Sequence, residues 1–306
     1  MARKIVGIGE TVLDIVFKNG KPLAAVPGGS VFNSMVSLGR TAGRDFPDVR
    51  LIMESQVGDD YVADIVSSFM QENGLGLEGM QRNGGQSNVS MALLDERNNA
   101  RYEFFRDKDI PPFRTPDTAL GIDDIAIFGS FFAVSPLTGA QTKEFIRRAK
   151  AAGAIVYYDI NFRKNHPVEP ASIEENIALS TIVRGSSEDI ESLYGSSDAA
   201  LVYREHIAPL CPNFICTRGS ENAEVFSPGV HGRFPVMPVS EVVTTIGAGD
   251  NFNAGIIYAI IAAGLRRSDL ASIPSETWAR LVPTAMRFSA NVCGSLYNYV
   301  DKDFRP

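Results

Sequence analysis

Thr244-Thr245-Ile246-Gly247-Ala248-Gly249-Asp250-Asn251-Phe252 is the stretch whose reading decides the fold. Two glycines bracket one alanine, and an aspartate follows at once. Asn253 to Gly264 is then almost entirely apolar, which predicts a buried helix ending at a glycine C-cap. The glycines therefore stand just before a helix N-terminus. There the first backbone N–H groups lack helical partners, and the macrodipole adds partial positive charge. Glycines let an anion such as phosphate approach the bare backbone. Asp250 suits the dipole as a cap, but a carboxylate aimed at a bound phosphate would repel it. Both features fit together if Asp250 faces a second reactant that carries a hydroxyl. The plainer reading is a glycine-rich turn capped by an aspartate.

Outward from this loop, the chain resembles the PfkB (ribokinase-like) carbohydrate kinases, and the resemblance covers most of its length. In that family the Gly-Ala-Gly turn forms an anion hole for the transferring phosphate, here Gly247, Ala248 and Gly249. The aspartate, here Asp250, is the catalytic base. The family usually carries Asp-Thr before the loop; this chain has Thr244-Thr245. A second signature resembles Pro27-Gly28-Gly29-Ser30-Val31-Phe32-Asn33, running on to Leu38-Gly39. The resemblance implies that Asp14, Gly28, Gly29 and Asn33 grip sugar hydroxyls.

The implied fold is α/β: a doubly wound, mostly parallel sheet flanked by helices, with a small β-sheet lid. The expected organisation is one kinase domain over residues 1–306, with lid strands inserted at about 12–27 and 86–106. The residues support this plan. Ile5 to Gly9 reads as a buried strand. Its Gly7-Ile8-Gly9 is no dinucleotide fingerprint, because Val12 stands where the third glycine belongs and no helix pattern follows. Asp14 to Leu23 reads instead as a hairpin, with Asn19-Gly20 as a type I′ turn. Asn88–Leu93 and Arg101–Arg106 read as a second hairpin across a polar turn. In the family such a sheet often mediates dimerisation, so a homodimer through the lid is expected. Asp59 is placed to cap a helix that begins near Tyr61. From residue 122 the βα alternation becomes regular.

Asp159-Ile160-Asn161-Phe162-Arg163 follows a strand, where open α/β sheets bind ligands. The pattern resembles fructokinase-like and 2-keto-3-deoxygluconate kinase-like members. Arg163 reads either as near the substrate or as an exposed loop arginine. Where the family has Asn-x-x-Glu for magnesium, this chain has Ser186 and Asp189 with Glu188 between, so either carboxylate is a candidate for Mg²⁺. Thr217-Arg218-Gly219 resembles a nucleotide-lining segment, which names Thr217 and Gly219. Asn291 falls where members often line the adenine pocket, or it faces solvent.

Composition excludes several classes. A formal charge of −7 over 306 residues argues against nucleic acid and anionic membranes as partners. Cys211, Cys216 and Cys293 lack CxxC spacing and fit a reducing cytoplasm. No apolar run reaches the roughly 20 residues that span a bilayer, and the N-terminus is too brief for a secretory signal. His166, His206 and His231 show no metal spacing, and GxxxxGK[ST] is absent. The expectation is a cytoplasmic, Mg²⁺-dependent kinase that transfers the γ-phosphate of ATP to a small sugar, a fructose-like ketose favoured. The alternatives are a 2-keto-3-deoxygluconate or ribose/nucleoside kinase of the same fold, or a degenerate sugar-binding protein.

Overall fold

The computed structural model describes residues 3–95, 100–162 and 170–306. The strands are β1 (Lys4–Ile8), β2 (Val12–Lys18), β3 (Lys21–Gly28), β4 (Arg50–Val57), β5 (Met80–Arg82), β6 (Val89–Leu94), β7 (Ala100–Phe105), β8 (Ile125–Gly129), β9 (Ile155–Asp159), β10 (Ile182–Ser186), β11 (Phe214–Arg218), β12 (Asn222–Ser227) and β13 (Val230–Pro235). The helices are α1 (Ser30–Arg40), α2 (Ala42–Asp45), α3 (Tyr61–Glu72), α4 (Gly139–Ala151), α5 (Pro170–Leu179), α6 (Ser187–Tyr194), α7 (Ala199–Val202), α8 (Ala248–Ala262) and α9 (Ser275–Cys293).

Nine strands form one sheet in the order β13-β12-β11-β10-β9-β8-β1-β4-β5. It is parallel from β11 to β5, and β12 and β13 add an antiparallel edge. The period-two alternation of side chains sorts each central strand into two cores. Ile5, Ile125, Ile127, Ile155 and Tyr157 face one way, against Met35 of α1, Met70 of α3, Ile256 of α8 and Trp278 of α9. Val6, Ile8, Phe128, Val156 and Tyr158 face the other way, against Phe145 of α4, Ile177 of α5 and Ile190 of α6. Burial on both faces is why these strands read as continuous apolar runs. α8 is apolar around most of its circumference because α1 and α9 pack on it; a Cβ on Gly255 would stand 2.4 Å from Ala285 Cα.

A second sheet of four strands has the order β3-β2-β6-β7. β2 joins β3 through Asn19 and Gly20, both at positive φ (52° and 72°), as a type I′ turn requires. The two hairpins pair through β2 and β6, in parallel, with Asp14 opposite Ser90. Residues 96–99, within the polar turn expected between β6 and β7, lie outside the described residues.

The cap of α3 differs from expectation. Asp60, not Asp59, is the N-cap, and its carboxylate accepts from Ala63 N–H at 2.9 Å. Its second oxygen accepts from Ser87 N–H, which ties the helix start to the approach of β6. Adjacent aspartates satisfy the same capping pattern, and only the distant Ser87 separates them. Among the described residues no helix is long and apolar enough to cross a membrane.

Candidate active site

The site lies at the carboxyl ends of the parallel strands, where α8 begins. Gly247 is the N-cap of α8 at φ 76°, and a Cβ there would meet Asn298 O at 3.0 Å. The turn thus needs glycine for conformation and for space. Thr244 is buried, and its Oγ1 accepts from Ile246 N–H at 3.2 Å, so a hydroxyl closes the turn. Of the three expected backbone donors, Ala248 N–H is engaged with Thr245 O at 3.2 Å. The first α-type bond of α8 runs from Asn251 N–H to Gly247 O, which places the Gly249 amide ahead of it at the helix start. Asn251 fixes the turn from behind. It donates to Gly247 O and Asn298 O and accepts from Ser37 of α1.

Asp250, in the first turn of α8, points toward α1. Ser30 Oγ donates to its Oδ1 at 2.7 Å, and Asn33 Nδ2 donates to its Oδ2 at 2.8 Å. Ser34 Oγ donates to its backbone carbonyl at 2.7 Å. Asn33 keeps a buried Oδ1 that accepts from no protein donor. Gly29 fixes where α1 starts: its φ is 127°, and a Cβ there would lie 2.1 Å from Glu10 O.

Asp14 sits beside this cluster, 6% exposed, with Oδ1 accepting from Ser90 Oγ. A Cβ on Gly28 would stand 2.3 Å from Asp14 Oδ2, so the glycine gives the carboxylate its room. Burial pushes the Asp14 carboxyl up to about 6; the Ser90 hydroxyl pulls it down, and repulsion from Glu10 and Asp250 adds to the rise. Arg106 is paired with Glu10 at 3.0 and 3.2 Å.

A cavity of about 640 Å³ opens on the other side of the turn. Ala248 and Gly249 form one wall, Thr217 and Gly219 another, and Val236, Met237, Val242 and Met286 an apolar end. That volume lies within the roughly 300–1,000 Å³ of small-molecule sites. Arg184 of β10 reaches into it. Its guanidinium donates to Asp159 Oδ1 at 3.0 Å and to Thr217 Oγ1, while its buried Nε has no protein partner. Asp159, 1% exposed, also accepts from Asn253 Nδ2 at 2.8 Å.

The structure therefore brings Asp14, Gly28, Gly29, Asn33 and Asp250 together on one side of Gly249, and Thr217, Gly219 and Glu188 on the other. It separates the two carboxylates at the start of α6. Glu188 is exposed and lines the cavity. Asp189 is buried, with Oδ1 accepting from Phe162 N–H and Oδ2 from Ser186 N–H in a capping box. Its oxygens serve the chain's own backbone, which runs against the expected metal role. Asn291 also departs from expectation. Its amide exchanges two hydrogen bonds with Asp301 at 2.9 Å, away from the cavity lining. Arg163 lies outside the described residues.

Sequence reasoning passed over Arg184 and Ser30. Arg184 had a signal: a lone charge inside a strand whose neighbours are apolar, at the carboxyl end of a parallel sheet. Ser30 had none beyond its place after Gly28-Gly29.

A family model described as pfkB family carbohydrate kinase matches residues 2–287. A fructokinase of Rhizobium leguminosarum bv. trifolii is 27% identical over 267 residues, 82% of this chain and 78% of that protein. Two solved structures share the fold. Aminoimidazole riboside kinase of Salmonella enterica, complexed with aminoimidazole riboside and an ATP analog, aligns at TM-score 0.82 and 20% identity, over 99% of this chain and 97% of its own. Fructokinase of Vibrio cholerae O395, in a form bound to fructose, ADP and calcium ion, aligns at 0.83 and 19%, over 97% and 94%.

Proposed function

Since this chain belongs to the pfkB family of carbohydrate kinases, we propose that it transfers the γ-phosphate of ATP to a hydroxyl of a small uncharged sugar, fructose first among candidates. The observation that carries this reading is the position of Asp250. Ser30 and Asn33 hold its carboxylate on one side of Gly249, and a nucleotide-sized cavity opens on the other. An acceptor hydroxyl at Asp250 would face a phosphate lodged on the Gly-Ala-Gly turn. Asp250 takes the hydroxyl proton as phosphate transfer proceeds, and the N-terminal amides of α8 bear the developing charge.

The acceptor side favours a neutral sugar. Glu10, Asp14 and Asp250 gather there, and Arg106 is already paired with Glu10. Ionised carboxylates only accept hydrogen bonds, so they suit hydroxyl donors and repel a sugar acid. Asn33 Oδ1 offers one more acceptor. The fructokinase relatives support the same choice.

The adenosine end of ATP suits the apolar end of the cavity, with Thr217 and Gly219 along its side. The donor set fits magnesium through Glu188, an exposed oxygen ligand facing the cavity, with water and nucleotide phosphates completing the shell. When bound, the ion offsets phosphate charge. A homodimer through the small sheet belongs to this reading. Ile15, Phe17, Met91, Leu93 and Phe105 share the face opposite Asp14, and Phe105 is 54% exposed.

The test is ADP release from MgATP with fructose, ribose, 2-keto-3-deoxygluconate, tagatose 6-phosphate and adenosine. Fructose-dependent release is expected. Release only with the acid or the phosphorylated sugar would overturn the neutral-acceptor reading. Silence throughout, with ATP bound, would favour the degenerate binder.

A further inference from the structure

We propose that Ser30 is a positioning residue for Asp250, and that Asn161 sets the direction of its hydrogen bond. The inference rests on the kinase reading above. A serine hydroxyl has one proton to give. Asn161 Nδ2 donates to Ser30 Oγ at 2.9 Å, so that side of the oxygen accepts, and the single Ser30 proton turns to Asp250 Oδ1 at 2.7 Å. Asn33 Nδ2 donates to the other oxygen at 2.8 Å. Two donors on two different oxygens fix the plane of the carboxylate.

The relay joins three separate elements: the segment after β9, the start of α1 and the first turn of α8. Asn161 stands at φ 35°, a left-handed conformation that few side chains adopt and asparagine tolerates best among the non-glycine residues. Local strain of this kind persists where the surroundings over-determine it. Here it turns the amide of Asn161 onto Ser30.

Donors to a carboxylate favour its ionised form, so removing one of them is expected to move the acid limb of turnover. Among the described residues, the charged groups near it include Asp14, which Glu10 also faces, and Arg184 behind Gly249. Replacing Ser30 or Asn161 alters none of these charges.

The experiment is the pH profile of kcat at saturating sugar and MgATP for wild type, Ser30→Ala, Ser30→Thr and Asn161→Ala, with a thermal melt of each. We expect Ser30→Ala to lose about tenfold or more in kcat, and its acid limb to rise by about one pH unit. KM for MgATP should stay within about twofold, because the nucleotide lies across Gly249. Asn161→Ala should shift in the same direction by less, and Ser30→Thr should restore the limb. A Ser30→Ala enzyme with kcat within twofold of wild type, or with lower kcat and an unmoved limb, overturns the proposal. If Ser30→Ala fails to fold, an unmoved limb in Asn161→Ala does so. A wild-type chain inactive on every acceptor sinks the kinase reading instead, and this inference with it.

Discussion

Arg184 lies against Gly249 so closely that a Cβ on the glycine would stand 2.9 Å from Nη2 and 3.0 Å from Nη1. The guanidinium is held on its far side by Asp159 and Thr217, so it has little freedom to retreat. Gly249 has an ordinary helical backbone, which makes the contact alone the reason for glycine. Gly249→Ala should therefore cost about 1–3 kcal/mol of stability by overpacking. It should also cost about a hundredfold in kcat by displacing the turn. Urea unfolding and steady-state kinetics check the two effects. An alanine variant with wild-type kcat would show that the turn tolerates the shift.

If Asp14 grips the sugar as proposed, sugar binding should depend on pH. Its carboxyl titrates at about 6 in the fold against 3.8 ordinarily, raised chiefly by burial. Between those values the folded state holds a proton that the unfolded state has lost. Its contribution to stability therefore falls as pH rises through this window and is level above about 6. On the proposed role of Asp14, sugar binding should run the opposite way, because hydroxyl donors need the carboxylate. KM for the sugar should rise about fivefold from pH 6 to pH 5, from the protonated fraction alone, with KM for MgATP flat. Asp14→Asn should bind sugar weakly with no such slope. A sugar KM constant from pH 5 to 8 in wild type would remove Asp14 from the sugar site.

Glu188 is exposed and Asp189 is buried in a capping box, and two substitutions test whether their roles differ as proposed. Asp189→Ala breaks the capping box of α6 and should cost about 1–2 kcal/mol. Glu188→Gln leaves the cap intact and should change stability by less than about 0.5 kcal/mol. The same variant should raise the Mg²⁺ concentration needed for half-maximal rate. Magnesium titrations at fixed ATP, paired with melts, read both. The reverse pattern would return the metal to Asp189.

Much of the fold was legible because its signals are local. The apolar run after Asp250, the turn at Asn19-Gly20 and the βα rhythm after residue 122 each report on a few neighbouring residues. The separation of the central strands into two cores follows from period two in the same way. The site was legible only where a motif supplied it. Arg184 and Asp159 meet across adjacent strands 25 residues apart, and Ser30 meets Asp250 across 220 residues. Neither pairing leaves a mark in periodicity. Asn291 shows the converse: a helical position with the right spacing is claimed by Asp301 in the segment that folds back after α9.

The measurement that tests the account most directly is turnover of Asp250→Asn, with sugar and ATP affinities taken on the same preparation. The amide keeps the shape and one acceptor for the Ser30 and Asn33 donors but cannot take a proton. The account predicts affinities near wild type and a rate lower by about a hundredfold or more. A variant that retains more than about a tenth of the wild-type rate would contradict the assignment of Asp250 as the base.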